Sequence, residues 1–266
     1  MVSLKIDGKD VRAAEGATVL EAALQEGIHI PTLCYHKAPG PQGLCRLCIV
    51  EAEGPGLRRT ILPSCNLTAL EGLKIDTASP LIQSIRKTIV ELLMANTPAS
   101  ESLLSIAKSL GVESSRFTSV QKDPCILCGL CVKVCRNSIG AAALSLADGG
   151  SGSRVVASRV VIDAEACIGC GTCANICPVQ AIRIEDSQTD RNIILYGQVV
   201  NKMELVKCEQ CGQAHATQKF ISSVLSRLTP EQKTAFRNLC PECSRVIHAE
   251  SLTGQIPPDS HCGNYG

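Results

Sequence analysis

The chain of 266 residues is poor in large aromatic side chains, with three Phe, three Tyr and no Trp. It lacks the run of about 18 apolar residues that a membrane-spanning helix needs, and residues 1–16 carry no apolar signal-peptide stretch. The net charge of +1 disfavours nucleic-acid binding, because that function usually needs a basic face. We therefore predict a soluble, cytoplasmic protein with several small cores built around inorganic groups.

Motifs for nucleotide binding and hydrolysis are also missing. The sequence contains no G-x-G-x-x-G fingerprint, no P-loop and no G-x-S-x-G elbow. Residues 148–153, DGGSGS, lack the lysine of a phosphate-binding loop, so we interpret them as the tip of a hairpin. No Cys–His pair stands out as a nucleophile, and we predict no catalytic residue.

Cysteine is the abundant residue, with 17 in the chain. The number is odd and most cysteines lie in C-x-x-C repeats, which suits metal ligands better than the disulfide framework of a secreted protein. A reducing cytosol would keep these thiols available to a metal.

Periodicity and composition divide the chain into segments of mixed α+β character. Residues 1–79 combine short strands, two of which form a hairpin around Gly8, with a helix that begins at Thr18. Thr18 forms a capping box with Glu21. Residues 80–117 have helical periodicity and are predicted to form a connector. Its expected apolar face consists of Leu81, Ile82, Ile85, Ile89, Leu92 and Leu93. The remaining segments are a cysteine-rich repeat at 118–186, an extended linker at 187–207, a four-cysteine module at 208–248 and a tail at 249–266.

Two cysteine blocks in the repeat follow the spacing C-x2-C-x2-C-x3-C, which is typical of bacterial-type [4Fe–4S] sites. In such pairs the fourth cysteine of each block binds the cluster of the other block. The first predicted cluster takes Cys125, Cys128, Cys131 and Cys177. The second takes Cys167, Cys170, Cys173 and Cys135. Zinc is the alternative, but zinc prefers two paired knuckles to two interleaved triplets.

An N-terminal set of four cysteines has the spacing C-x10-C-x2-C-x16-C and comprises Cys34, Cys45, Cys48 and Cys65. Four thiolates after a strand–helix unit suit a [2Fe–2S] cluster. By spacing alone, a four-cysteine zinc site is the alternative.

The stretch DGKDVRAAEGATVLEAALQEGIHIPTLCYH, followed by GLCRLCIVE, resembles the [2Fe–2S] domain of several redox subunits. These are the large iron–sulfur subunit of respiratory complex I, iron-only hydrogenases, NAD-dependent formate dehydrogenases and the diaphorase small subunit of NAD-reducing hydrogenases. The two cysteine blocks that follow make the last of these the best match, over roughly residues 1–186. The resemblance implies a β-grasp [2Fe–2S] ferredoxin domain followed by a two-cluster bacterial ferredoxin-like domain.

One cluster of that family is missing here. In the family, the helix RKxVLELLLANHP leads into a [4Fe–4S] site with one histidine and three cysteine ligands. This chain reads RKTIVELLMANTP, and the four ligand positions are Thr97, Glu101, Leu104 and Leu110. None of these side chains is a usual cluster ligand, so the resemblance implies that the helix is kept and the cluster is lost.

A second four-cysteine set lies near the C-terminus, in KCEQCG and LCPECSR, and comprises Cys208, Cys211, Cys240 and Cys243. Two C-x-x-C pairs indicate a zinc-ribbon-like module with one zinc ion. A third [4Fe–4S] cluster is the alternative, since both metals accept four thiolates. His215 could replace one ligand, whereas His248, His261 and Cys262 are expected at the surface.

These features predict an electron-transfer iron–sulfur subunit of a cytoplasmic oxidoreductase complex, with one [2Fe–2S] cluster, two [4Fe–4S] clusters and one zinc ion. The resemblance implies a flavin/NAD(P)-binding subunit as one partner and a hydrogenase, formate dehydrogenase or other catalytic subunit as the other. Two alternatives remain open. One is a stand-alone polyferredoxin that carries electrons between enzymes, and the other is a zinc-rich assembly or scaffold protein.

Overall fold

The computed structural model describes residues 1–118, 124–148 and 157–253. The chain divides into two compact units. The first comprises Met1–Val161 and Cys173–Ala181, and the second comprises Ile162–Thr172 and Ile182–Gly266. Both contain helices and strands, as expected for an α+β chain.

A five-stranded mixed sheet forms the N-terminal part of the first unit. Its strands are β1 (Val2–Ile6), β2 (Lys9–Ala13), β3 (Ile49–Gly54), β4 (Leu57–Pro63) and β5 (Lys74–Asp76). Their order is β2-β1-β5-β3-β4, and only the β1–β5 pairing within it is parallel. The predicted hairpin of β1 and β2 is confirmed, with Gly8 at a φ of +82° in the turn.

Helix α1 (Val19–Gln25) packs on this sheet. Thr18 caps it, and the Glu21 side chain accepts a hydrogen bond from the Thr18 backbone, so the predicted capping box is confirmed. Its apolar face, Val19, Leu20, Ala22 and Ala23, is buried in the core of the sheet.

Two helices follow the sheet, α2 (Pro80–Asn96) and α3 (Glu101–Ser109). Both lie in the segment predicted to be helical, and the expected apolar face of α2 is correct only in part. Ile82 is buried, and Ile89 and Leu93 pack against a hydrophobic core. Leu81 and Leu92 are about half exposed, and the buried stripe runs at four-residue intervals through Ile82, Arg86, Val90 and Met94. The buried stripe includes Arg86, and sequence patterns seldom place a charged residue in such a stripe.

The described part of the cysteine repeat contains short elements. Helix α4 (Leu130–Lys133) continues into a π-helical turn at Val134–Ile139, and α5 spans Thr172–Asn175. Strands β6 (Leu144–Asp148) and β7 (Ala157–Ile162) pair in a two-stranded sheet, as predicted. The predicted hairpin tip between them lies outside the described residues.

The second unit is built on an antiparallel sheet of four strands in the order β11-β10-β9-β8. They are β8 (Ile182–Asp186), β9 (Asp190–Leu195), β10 (Gln198–Lys207) and β11 (Ala214–Thr217). The prediction of a linker at 187–207 is therefore wrong. Tyr196 and Gly197 both have positive φ, which is the geometry of a tight hairpin turn that joins β9 to β10.

In the described part of the second unit, the sheet is followed by three helices: α6 (Gln218–Ser226), α7 (Pro230–Ala235) and α8 (Pro241–Thr253). Helix α6 lies between the two cysteine pairs of the C-terminal set. Helix α8 extends into the segment predicted as a tail, whose last 13 residues lie outside the described ranges. Among the described helices, none combines the length and apolar character that crossing a membrane would require.

Candidate metal centres

The N-terminal cysteine set lies between the five-stranded sheet and α2. All four thiols are buried: Cys34, Cys45, Cys48 and Cys65. Cys45 and Cys48 lie on the loop that leads into β3, and the Ser64 hydroxyl donates a hydrogen bond of 2.7 Å to the carbonyl of Cys48. This bond ties the loop to the segment that carries Cys65.

The thiols of this set interact in pairs. The hydrogen bond between the Cys34 and Cys45 side chains lowers the pKa of Cys45 to about 6 and raises the pKa of Cys34. The same interaction with Cys65 lowers the pKa of Cys48 to about 7. Four buried sulfurs that share protons in this way can all become thiolates when a metal cation replaces the protons. The donor set therefore fits a thiolate-bound metal cluster.

Backbone geometry supports the wrapping of this loop around a metal group. Gly43 has a φ of +65° and Arg46 a φ of +61°. These values lie in the left-handed region of the backbone, which residues other than glycine adopt only at a cost in free energy. The backbone N–H of Cys45 points at the Cys34 sulfur at 3.3 Å. Such N–H donors stabilise a thiolate.

The first block of the repeat belongs wholly to the first unit, together with Cys177. Burial, followed by smaller effects of nearby cysteines, raises the pKa of Cys128 to about 12. Burial also raises the pKa of Cys131. Leu127 donates its N–H to the Cys125 sulfur at 3.3 Å, and Ala181 donates its N–H to the Cys177 sulfur at 3.2 Å. A buried thiol loses its proton readily only when a nearby positive charge compensates the thiolate. A bound metal ion supplies that charge, so these residues also suit a metal group.

The N-terminal set and the first block share one hydrophobic core. It consists of Leu33, Cys34, Cys45, Leu47, Val90, Met94, Leu103, Ala107, Val112, Cys128 and Leu130. The Lys133 ammonium on α4 donates a hydrogen bond of 3.2 Å to the carbonyl of Pro41, in the loop before Cys45. Sequence spacing gives no sign of this contact, which joins residues 92 positions apart.

The second block contains the loop Cys167–Cys170, which lies in the second unit. Three side chains of the four-stranded sheet hold it. The Thr217 hydroxyl donates a hydrogen bond to the carbonyl of Ile168, and Arg191 donates one of 2.7 Å to the carbonyl of Gly169. A Cβ on Gly169 would lie 2.8 Å from the sulfur of Met203. The sequence alone did not identify these supporting residues.

The four positions at which the resemblance implies a lost cluster lie on α3 or at the C-terminal ends of α2 and α3. Thr97 is buried, and its hydroxyl donates a hydrogen bond of 2.9 Å to the carbonyl of Leu93, at the end of α2. Glu101 and Leu104 are exposed on α3, and Leu110 packs on the shared core. Their side chains offer no set of sulfur or imidazole ligands.

The C-terminal cysteines form a compact tetrad. Their four sulfurs all lie within 4.8 Å of one another: Cys208, Cys211, Cys240 and Cys243. The sulfurs of Cys211 and Cys240 are 3.8 Å apart. Burial alone would raise the pKa of Cys208, but N–H donors from Cys240, Cys211 and Gln210 lower it to about 7. In the described part of the chain, no other cysteine set closes to this spacing.

His215 is not part of the tetrad. Its Nε2 lies 3.0 Å from the side-chain oxygen of Asn238. Asn238 in turn donates a hydrogen bond of 3.1 Å from its side chain to the carbonyl of Lys207. His215 therefore helps to hold together the two segments that carry the cysteine pairs, and it does not replace a cysteine.

Two family models match the chain. A 2Fe-2S iron-sulfur cluster binding domain matches residues 1–80, and a 4Fe-4S binding domain matches residues 160–183. The first model covers the N-terminal cysteine set, and the second covers the second block with Cys177. The C-terminal tetrad lies outside both.

The chain is also similar to components of redox complexes. It is 32% identical over 208 residues to the G 2 subunit of NADH-quinone oxidoreductase from Rhizobium meliloti, covering 68% of this chain and 24% of that protein. It is 29% identical over 189 residues to the gamma subunit of the NAD-reducing hydrogenase HoxS from Cupriavidus necator, covering 62% of this chain and 76% of that protein.

A solved structure agrees with these matches. One polypeptide of the NAD+-reducing [NiFe]-hydrogenase in the H2-reduced state superposes with a TM-score of 0.56 at 33% identity, covering 67% of this chain and 85% of that one. The present chain spans only about a quarter of the length of its long relatives. It belongs to the family of iron–sulfur subunits that comprises the diaphorase small subunit of NAD-reducing hydrogenases and the N-terminal region of the complex I large iron–sulfur subunit.

Proposed function

We propose that this chain is an electron-transfer iron–sulfur subunit of an NAD(P)-linked oxidoreductase complex. The observation that carries the proposal is the shared core that contains both Cys45 of the N-terminal set and Cys128 of the first block. A redox subunit needs its metal groups close together with little solvent between them. Here buried apolar side chains join the two cysteine sets directly, although the family's histidine-plus-three-cysteine site is missing.

The proposed domains keep the boundaries predicted from the sequence, except that 187–207 belongs to the second unit. Residues 1–79 would form a β-grasp [2Fe–2S] domain with Cys34, Cys45, Cys48 and Cys65 as ligands. The repeat would hold two [4Fe–4S] clusters, on Cys125, Cys128, Cys131 and Cys177, and on Cys167, Cys170, Cys173 and Cys135. When bound, these clusters supply one-electron transfer. The chain itself supplies buried thiols, N–H donors to sulfur and exclusion of water.

For the C-terminal tetrad we propose one zinc ion in a zinc-ribbon-like module. A metal ion 2.3 Å from four sulfurs in a tetrahedron separates those sulfurs by roughly 3.8 Å, and the Cys211–Cys240 separation is 3.8 Å. A [4Fe–4S] cubane binds its four thiolates through four different irons and therefore spreads them further apart. The compact spacing favours a single ion.

The proposed partners are a flavin/NAD(P)-binding subunit and a catalytic subunit such as a hydrogenase. Support comes from the relatives, which include a gamma subunit of an NAD-reducing hydrogenase and the alpha subunit of an NADPH-Fe(3+) oxidoreductase. A pull-down of the native protein tests this proposal. A flavoprotein recovered in fixed ratio is expected, whereas recovery of the chain alone would favour the stand-alone carrier.

Metal analysis of the anaerobically purified protein tests the cofactor content. The proposal predicts about 10 irons per chain, from one [2Fe–2S] and two [4Fe–4S] clusters, and about one zinc. About 14 irons without zinc would instead indicate a third cubane in the C-terminal tetrad. A chain rich in zinc and without iron or acid-labile sulfide would contradict the electron-transfer function and support a scaffold.

A further inference from the structure

Arg86 is a buried cation beside the N-terminal cysteine set. It lies in the buried stripe of α2 and is 4% exposed. Its Nε donates a hydrogen bond of 2.9 Å to the carbonyl of Leu47, and an Nη donates one of 2.6 Å to the carbonyl of Ile49. Leu47 and Ile49 are the two neighbours of Cys48 in the chain. One guanidinium therefore holds the backbone on both sides of a cysteine of this set.

The charge of Arg86 needs a negative partner. A guanidinium stays protonated in proteins, and a buried charge is costly unless an opposite charge compensates it. Its hydrogen-bond acceptors are neutral carbonyls, and within the described ranges no carboxylate forms an ion pair with it. Burial lowers the pKa of Arg86, and the negative charges of Cys48 and then Asp7 oppose that change.

We propose that Arg86 positions the Cys48 loop and provides the compensating positive charge for the iron–sulfur group of the N-terminal set, so that it raises the reduction potential of that group. The inference rests on the [2Fe–2S] assignment proposed above. Two ferric irons, two sulfides and four thiolates leave an excess of two negative charges, and uptake of one electron raises the excess to three. A fixed positive charge stabilises the more negative, reduced state more strongly.

The test is a redox titration of the full chain, purified anaerobically, with dithionite as the one-electron reductant. The reduced [2Fe–2S] signal is followed by electron paramagnetic resonance at a temperature where [4Fe–4S] signals are broadened. The variant Arg86→Gln removes the charge and keeps a hydrogen-bonding amide. The matched control is Lys87→Gln, which removes an exposed charge from the next position of the same helix.

For Arg86→Gln we expect the ratio of reduced to oxidised cluster at a fixed solution potential to fall about tenfold. A tenfold change corresponds to about 59 mV for a one-electron couple. Lys87→Gln should leave the ratio within about twofold, because solvent screens an exposed charge. An Arg86→Gln protein with a normal iron content and an unchanged potential would overturn the inference.

The variant Arg86→Lys separates the effect of the charge from that of the hydrogen-bonding geometry. It also tests the role of the charge if the Arg86→Gln protein fails to bind its cluster. Lysine keeps the charge but cannot bridge two carbonyls with a rigid fork. We expect a potential close to that of the wild type and faster loss of the [2Fe–2S] signal on warming. A tenfold change of the ratio in Arg86→Lys would overturn the charge role. A wild-type protein without any [2Fe–2S] signal would overturn the cofactor assignment and this inference together.

Discussion

Gly169 shows how a single residue in a cysteine loop is constrained by packing. Its φ is +69°, and an added Cβ would lie 2.6 Å from the Thr217 methyl carbon and 2.8 Å from the Met203 sulfur. We expect Gly169→Ala to destabilise the second unit by about 2–4 kcal/mol, from backbone strain together with overpacking. The loss would appear as a lower midpoint in urea unfolding followed by circular dichroism.

Gly197→Ala is the matched control for Gly169→Ala. Gly197 has a φ of +79°, but an added Cβ there would meet nothing within 4 Å. The control should therefore cost only the strain of the left-handed backbone, about 1–2 kcal/mol. Equal losses in the two variants would show that contact with Thr217 and Met203 contributes nothing.

Glu21 gives a pH-dependent contribution to stability. The Thr18 backbone N–H donates to its carboxylate, and this hydrogen bond lowers the pKa of Glu21 below its usual 4.5. A carboxylate with a lowered folded-state pKa stabilises the fold above its unfolded pKa, and this stabilisation disappears as pH falls through the folded value. Glu21→Gln should therefore lower the thermal midpoint at pH 7, and the difference from wild type should shrink below about pH 4.5.

The control for this pH dependence is Glu15→Gln, since Glu15 is exposed in the turn before α1. That variant should unfold like the wild type at both pH values. A difference for Glu21→Gln that persists undiminished at acid pH would mean that the effect comes from packing and not from the charge.

At the residue scale, the sequence identifies the cysteines but not the side chains that support them. Repeated C-x-x-C spacing is a local signal, so it predicts the three cluster sites and the tetrad, and the structure brings the four tetrad sulfurs within 4.8 Å of one another. Arg86 and Thr217 contact carbonyls 37 and 49 positions away, respectively. Such contacts depend on how distant segments pack, which spacing along the chain does not encode.

At the scale of elements, α3 acts as a packing helix of the shared core. Leu103 is fully buried in the shared core, whereas its neighbour Leu104 is 42% exposed. Leu103→Ala should cost about 2–5 kcal/mol, from lost apolar burial and the cavity that remains. The measurement is the urea midpoint, together with the visible absorbance of the iron–sulfur groups.

Leu104→Ala is the paired control, because it removes the same side chain from the exposed face of the same helix. We expect a change within about 0.5 kcal/mol and a normal iron content. Loss of iron in Leu104→Ala would contradict the prediction that Leu104 contributes to no metal site.

Local sequence patterns predict the strands of the first unit, but they do not predict strands β9 and β10 of the second unit. The hairpin at Asp7–Gly8 and the capped helix α1 have strong local signals, and both were predicted correctly. The sequence predicts a linker across β9 and β10, because their turn, Tyr196–Gly197, is not a usual hairpin dipeptide. Strand β8 pairs with β9, and β11 pairs with β10. The sheet therefore depends on contacts among four strands, which no single local motif encodes.

At the scale of the whole molecule, the chain joins a part shared with its family to a part outside both family models. The matched models end at residue 183. Beyond that point, strands β9 and β11 carry Arg191 and Thr217, which hold the loop between Cys167 and Cys170. The additional sheet is therefore a support for part of the family's second [4Fe–4S] block.

The support that the sheet gives to the loop between Cys167 and Cys170 should depend on the C-terminal tetrad. Cys208 and Cys211 lie between β10, which ends at Lys207, and β11, which begins at Ala214. A metal on the tetrad would fix that connection and hold Thr217 against Ile168. In Cys240→Ser, we expect loss of the proposed zinc ion. We also expect one [4Fe–4S] signal to bleach about fivefold faster in air, as for loss of about 1 kcal/mol of loop stabilisation.

The control for Cys240→Ser is Ser244→Ala, an exposed position in α8 one turn after Cys240. It should keep the zinc and bleach at the wild-type rate. Zinc content and iron release are measured on the same samples, and electron paramagnetic resonance shows which signal decays. If Cys240→Ser loses its zinc and all iron–sulfur signals decay at the wild-type rate, the tetrad stabilises only its own module. Faster decay confined to one [4Fe–4S] signal would instead show that the C-terminal module protects the second cysteine block.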